Sequence, residues 1–381
     1  MKRSHLSILA AAALVAAGTG HVRAADGKPA AVERVAEFTG AMPTGVTVTE
    51  TGRIFVNYPK WGDDVKFSVA EIVDGKRVAY PDAAFNQENA DPAKGLISVQ
   101  SVVADGQGRV WILDTAAPGF AAPKAGGAKL VAVDLKTNKV VKTVVFPADV
   151  ILPTTYVNDM RFDFRVGSAG VAYVTDSSIK GPGGLIVLDL GSGKALRRLS
   201  GSPLTAPEKG FMARVEGKPL ASTGPDGKLQ PFNVASDGIA LSGDGKTLYF
   251  SALSARTLYA VPTALLRDPA VTDAQIAKAV KNLGKKGASD GLEADAAGNV
   301  YGGDYEHNAI RKLSADGKWS TIAQGPDIVW PDTLSIGPDG YLYFTANQLN
   351  RQAGFNGGKD LRQQPYRLLR VKIGSAPAPT K

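Results

Sequence analysis

Five times along this chain a polar residue opens a short apolar strand, and a glycine follows eight positions later. The pairs are Thr44 and Gly52, Gln100 and Gly108, Asp237 and Gly245, Asp290 and Gly298, and Asp332 and Gly340. A second apolar strand comes after each glycine, as in Ile54–Val56, Val110–Ile112, Leu248–Phe250 and Tyr341–Phe344. A sixth copy starts at Asn158 and takes a longer turn before Gly170 and Tyr173. A repeat of this kind limits the fold severely, because one unit cannot bury its apolar face alone and must stack on its neighbours. The starts are 56, 58, 79, 53 and 42 residues apart, so even the shortest unit has room for four strands. Long helices between the strands are missing, which argues against a doubly wound parallel sheet. The pattern predicts an all-β fold, a six-bladed β-propeller. The last unit supplies only three strands, Asp332–Ile336, Tyr341–Ala346 and Arg367–Ile373. Val32–Phe38, strand-like and otherwise unassigned, is expected to complete that blade and leave no open edge.

The two ends read differently from the middle. Lys2 and Arg3, the apolar run Leu6–Ala17 and the small residues around Ala24 make residues 1–24 a secretory signal peptide, cleaved after Ala24. The run is too short for a membrane anchor, so the mature protein is expected in the periplasm or the medium. Residues 25–373 form the single propeller, and the Ala- and Pro-rich stretch 374–381 reads as a disordered tail. The absence of cysteine removes disulfides and thiolate chemistry. Net charge is +8, or +5 without Lys2, Arg3 and Arg23. The remaining basic pairs, Arg197-Arg198, Lys285-Lys286 and Arg367 with Arg370, form no stripe with aromatics and read as solvated surface. Nucleic acid is therefore not an expected partner, and the chain is expected to act as a monomer.

Within the repeats, Val65–Val73 and Lys76–Tyr80 supply outer strands of the first blade, and 81–93 reads as a loop. The long third spacing holds an insertion, Gly201–Phe232, rich in Gly, Pro and Lys. It is either a lid over one rim or a solvated excursion. Thr272 to Gln275 is a capping box opening a helix with Ile276, Val280 and Leu283 on one face and Gly284 as its C-terminal cap.

In a propeller the innermost strands line a central channel, so their first residues meet at one mouth. Thr44, Gln100, Asn158, Asp237, Asp290 and Asp332 are thus expected to form a polar ring that binds a small molecule. Capping of neighbouring backbone amides is the structural alternative. Three aspartates near one axis repel each other, so a proton is taken up or a cation sits between them. Oxygen-only ligands suit Ca²⁺ or another divalent cation of similar hardness. Tyr156, Trp330 and Phe232 lie close to the ring in sequence and offer either a stacking surface or packing between blades. Past the signal only His307 remains, which rules out a multi-histidine metal site, and a surface hydrogen bond is its expected role. Gly181–Gly184 lacks the Lys and Ser/Thr of a phosphate loop, so no nucleotide cofactor is expected.

The wording of the second to fourth copies resembles the Yellow / major royal jelly protein family. The similar stretches are Val110–Thr115, Tyr156–Asp163, Ala172–Ser178, Gly184–Leu190, Gly238–Ser242, Leu248–Ser254 and Leu258-Tyr259. The resemblance runs over roughly 95–350 and implies a secreted six-bladed propeller with a ligand-binding channel, some of whose relatives are linked to dopachrome conversion. A more distant likeness is to the gluconolactonase propellers, which implies a divalent metal at Asn158, Asp237 and Asp290. Thr44 stands where that family has a glutamate. Three readings follow. The first is a channel binding a small aromatic or cyclic molecule, with Asp237 or Asp290 shuttling a proton as in a tautomerase. The second is a metal-dependent lactone hydrolase. The third is a non-catalytic envelope protein that binds a partner.

Overall fold

The computed structural model describes residues 30–381, so the signal-peptide expectation lies outside the described residues. Six four-stranded antiparallel sheets follow one another around an axis as a β-propeller. Their innermost strands are Val46–Val48, Val99–Ala104, Val157–Asp163, Ser236–Leu241, Leu292–Ala294 and Pro331–Ile336, numbered here as blades 1 to 6. Blade 6 takes its outermost strand from the other end of the chain: Val32–Phe38 pairs with Tyr366–Lys372, Val32 opposite Val371 and Phe38 opposite Tyr366. The ring closes as the strand count predicts.

Burial follows position in the blade. Every residue of Val157–Asp163 is buried, because neighbouring blades cover both faces of an inner strand. The outermost strand of blade 2, Lys139–Val145, mostly alternates exposed with more covered residues, since one face meets water. Six apolar clusters form the core. Trp111, Leu130, Met160 and Ile186 fill the space between blades 2 and 3, and Tyr301, Leu334, Phe344 and Leu369 that between blades 5 and 6.

Three expectations change, and one open alternative closes. The helix, Asp273–Ala279, has the expected capping box but stops at Ala279. Lys281–Lys285 is instead the fourth strand of blade 4, which the sheet requires, so Gly284 is a strand residue and not a helix cap. The stretch 374–381 is ordered, as hydrogen bonds tie it to three blades. Ala296 N–H donates to the Ala376 carbonyl (3.0 Å), Phe164 N–H to the Thr380 carbonyl (2.8 Å), and the Thr380 hydroxyl to the Asp105 carbonyl (2.6 Å). The basic pairs are not uniformly solvated: Lys286 is fully buried, and Arg198 is buried with its guanidinium donating to the Leu266, Asp268 and Val271 carbonyls. Of the two readings of the insertion, the solvated excursion is set aside. The insertion folds into two short hairpins, Arg214–Val215 with Lys218–Pro219 and Ala221–Thr223 with Leu229–Pro231.

Candidate functional site

Four inner strands begin with a β-bulge. Pairing slips between Val99 and Ser101, Val157 and Met160, Ser236 and Ile239, and Pro331 and Leu334. The residues in those gaps include Gln100, Asn158, Asp237 and Asp332. A bulge re-aims a side chain out of the pleat, so each serves to aim its polar residue. In blades 1 and 5 the same role falls to Thr44 and Asp290, just ahead of the strand. All six side chains are buried. Glycine sets how closely blades 4 to 6 approach. A Cβ on Gly238 would stand 2.5 Å from the Asp290 carbonyl oxygen, and one on Gly291 2.6 Å from that of Asp332.

The ring does not act as one cluster. Asp237 and Asp290, on neighbouring blades, are close enough for each carboxyl group to shift the other. Burial pushes Asp290 up to about 6 and raises Asp237 well above the usual carboxylate range, the charge of Asp290 adding to the effect on Asp237. Burial first and then Asp290 also raise Asp332, which accepts from Asn347 Nδ2 (2.6 Å) and Thr333 Oγ1 (3.2 Å). Asn158 joins the pair through Ser177: Asn158 Nδ2 donates to Ser177 Oγ (2.8 Å), which lies 2.9 Å from Asp237 Oδ2. Thr44 and Gln100 are turned to partners of their own. Asn57 Nδ2 donates to the Thr44 hydroxyl (3.0 Å), and the Tyr156 hydroxyl donates to Gln100 Oε1 (2.9 Å).

The aromatics have structural work. Trp330 Nε1 donates to Asp290 Oδ2 (2.8 Å), and its ring stacks on Tyr305 at 4.1 Å and 10°. Its φ is +55°, the left-handed region that bulky residues rarely enter. Such strain persists only where the surroundings enforce it, and here the stack and the Asp290 bond do so. Tyr156 stacks on Phe120 at 4.2 Å and accepts from Trp61 Nε1 (2.8 Å). Phe232 meets Phe355 edge-on.

Several residues at this mouth escape sequence reasoning. Ser177 and Asn347 sit just past the ends of their blades' second strands, as does Thr115. That recurring polar position was a legible signal. Lys286 had none, being a lysine beside a lysine. Its ammonium donates to the Gly287 (3.0 Å) and Ala255 (3.3 Å) carbonyls. Burial pushes its pKa down to about 7 against the pull of Asp304, Glu208, Asp237 and Asp290. His307 is a surface residue with Nδ1 2.9 Å from Asp304.

The insertion covers this mouth. Phe211, Ala213, Val215 and Leu220 are buried in one cluster with Tyr305, Trp330 and Leu349. Glu216 clasps the insertion to blade 6 by accepting from Asn350 Nδ2 and Arg351 Nε, both at 2.9 Å. Glu306 holds it to blade 5, accepting from Arg214 N–H (2.8 Å) and Arg256 Nε (2.7 Å).

For a cation, Asn158, Asp237 and Asp290 offer oxygen donors. Among the described residues no group of three or more His, Cys, Asp or Glu side chains is arranged to hold a metal ion. Asp332, the third carboxylate of the ring, is engaged by Asn347.

The sequence profile of the major royal jelly protein family matches residues 97–380, about three quarters of the chain. Protein yellow of Drosophila madeirensis is 27% identical over 259 residues, covering 62% of this chain and 41% of the relative. Major royal jelly protein 5 of Apis mellifera is 26% identical over 219 residues, 56% of this chain and 34% of the relative. The matched part is thus less than half the length of either. In fold, the chain is similar to a gluconolactonase from Xanthomonas campestris, with a TM-score of 0.52 at 13% identity over 91% of this chain and 96% of that one. The family match spans blades 2 to 6 and takes in five of the six ring positions, so this chain belongs to the major royal jelly protein family.

Proposed function

We propose that the axial acid pair beneath the lid binds a small aromatic or cyclic molecule and moves a proton between its carbon and oxygen atoms, as a tautomerase does. The observation that carries this reading is the pairing on neighbouring blades of Asp237 and Asp290, two buried carboxyl groups that influence each other and have raised pKa values. Near neutral pH such a pair keeps one proton and one charge, so it holds a base and an acid side by side. The carboxylate takes a proton from carbon as the C–H bond breaks, and the neutral partner gives its proton to the carbonyl oxygen. The pair ends with the proton count it began with. Trp330 holds Asp290 in place, and Asn158 with Ser177 does the same for Asp237. Ligand reaches the pair when the insertion lifts. The amino-terminal sequence supports export to the periplasm or medium.

The test combines binding and turnover. Indoles and catechols should quench tryptophan fluorescence in metal-free protein, and a dopachrome-type aminochrome should be isomerised. D237N should lower turnover by a factor of about 10² or more, the usual worth of general acid–base catalysis, with binding retained. Unchanged turnover in D237N would remove the acid–base role. A divalent cation is the competing occupant, favoured by the oxygen-only set Asn158, Asp237 and Asp290 and replacing the shared proton. One equivalent of Ca²⁺ retained through dialysis, together with lactone hydrolysis, would move the reading to a hydrolase. Silence in every assay would leave a partner-binding protein.

A further inference from the structure

At the opposite mouth of the channel lies a cavity of about 290 Å³ that none of the six ring residues lines. We infer that it is a second, separate binding site, for a small uncharged molecule carrying a carbonyl or hydroxyl oxygen, roofed by the strap of residues 377–381.

The volume is near the lower limit of ligand pockets, about 300 Å³. The walls are apolar: Val46, Val48, Val103, Leu241, Leu334 and Ile336. Glu50, Gln107 and Lys381 also line the cavity but are exposed to solvent, whereas Arg161, Thr47 and Ser335 are buried polar groups. Arg161, buried at the axis, donates from Nη1 to Asp159 Oδ2 (2.9 Å) and the Met160 carbonyl (2.7 Å), and from Nη2 to the Leu292 carbonyl (2.6 Å). Its Nε–H is buried and has no partner. Buried donors without acceptors are rare because each one forfeits its bond to water. A ligand oxygen would supply the missing acceptor. Two further donors stand in the lining. Thr47 Oγ1 accepts from Ala104 N–H (2.8 Å) and Ser335 Oγ from Val48 N–H (3.0 Å), each bond joining neighbouring blades. Each hydroxyl retains its own hydrogen to give.

Charge selects against anions. Asp159 and Glu293 stand 2.9 Å and 3.5 Å from Arg161, so the guanidinium is already outnumbered by acids. A carboxylate ligand would add a third negative charge in a site of low dielectric. A neutral oxygen meets the donors without that cost.

The roof is built from backbone. The strap bridges at Pro377 to Asp295 of blade 5, and Ala378 N–H donates to the Ala294 carbonyl (3.3 Å). It then crosses to blades 3 and 2, where Arg165 Nη2 donates to the Pro379 carbonyl (2.5 Å) and Thr380 to Asp105 (2.6 Å).

Cyclohexanone is a suitable probe, with cyclohexanecarboxylate as the charged counterpart, followed by saturation-transfer NMR on the full chain. Cyclohexanone should bind and the carboxylate should not. V103F, which fills the cavity from a half-buried wall position, should weaken cyclohexanone at least tenfold. Deleting 376–381, beyond the last blade strand, should weaken it as well. D237N should leave it unchanged, which separates this site from the acid pair whatever that pair proves to do. No cyclohexanone binding, binding indifferent to both V103F and the deletion, or binding lost in D237N would each overturn the inference.

Discussion

Asp290 is pulled in two directions. Burial favours its neutral form, while the Trp330 indole N–H and the Asp237 carboxyl favour its anion. The first wins, so the folded pKa, about 6, lies above the ordinary aspartate value of 3.8. The native state then binds more protons than the unfolded chain between those values, and stability falls as pH rises through that window. A shift of this size corresponds to about 3 kcal/mol at 1.36 kcal/mol per unit. D290N should abolish that part of the fall, read as the difference between wild-type and variant urea midpoints from pH 4 to 7. Lys286 gives the complementary case. A base pushed down to about 7 from 10.5 is destabilising while charged, and its penalty is relieved as pH rises from about 7 towards 10. K286M should flatten that rise and be more stable than wild type below pH 7. W330F keeps a ring against Tyr305 but withdraws the N–H from Asp290. It should cost about 1–2 kcal/mol and move the onset of proton-transfer activity to higher pH, because that bond helps to hold the Asp290 pKa down.

Among the elements, the inner strands were the most legible and the lid the least. Ring positions could be counted from sequence because each blade repeats the same bulge-then-strand grammar, and a period survives when individual residues vary. The insertion carries no period. Its Gly, Pro and Lys content fits a lid and a solvated excursion alike, and Phe211, Val215 and Leu220 are buried because Tyr305 and Leu349, distant in sequence, complete their cluster. The 374–381 stretch misled because its order comes from carbonyls and amides of other blades. The helix after Thr272 began where its capping box said but ended early, because sheet pairing claimed Lys281–Lys285. The lid clasp is open to test. Glu216 and Arg351 are partly exposed, and pairing with Arg351 lowers the Glu216 pKa. E216Q should therefore change global stability by less than about 1 kcal/mol. It should speed hydrogen exchange across 211–231 and raise the association rate of any ligand of the acid pair, measured by stopped-flow quenching.

For the whole molecule, closure rests on one strand. Val32–Phe38 covers the edge of blade 6 and contributes Phe38 to the cluster that joins blades 6 and 1 and reaches the lid. Removing residues 30–38 would bare the edge of Tyr366–Lys372, and such an edge recruits other chains. The truncated protein should melt at lower temperature and associate in a concentration-dependent way, seen by light scattering during thermal unfolding.

Because Val32 lies opposite Val371, the two ends of the blade set are neighbours in space. A short peptide linker could join Ile373 to Val32 and the chain could be reopened in the loop at 81–93, giving a circular permutant with the same six sheets in a rotated order. In that molecule the seam would become an ordinary hairpin and the strap would be gone. The propeller's tolerance of a new starting point would then be read separately from what the strap adds.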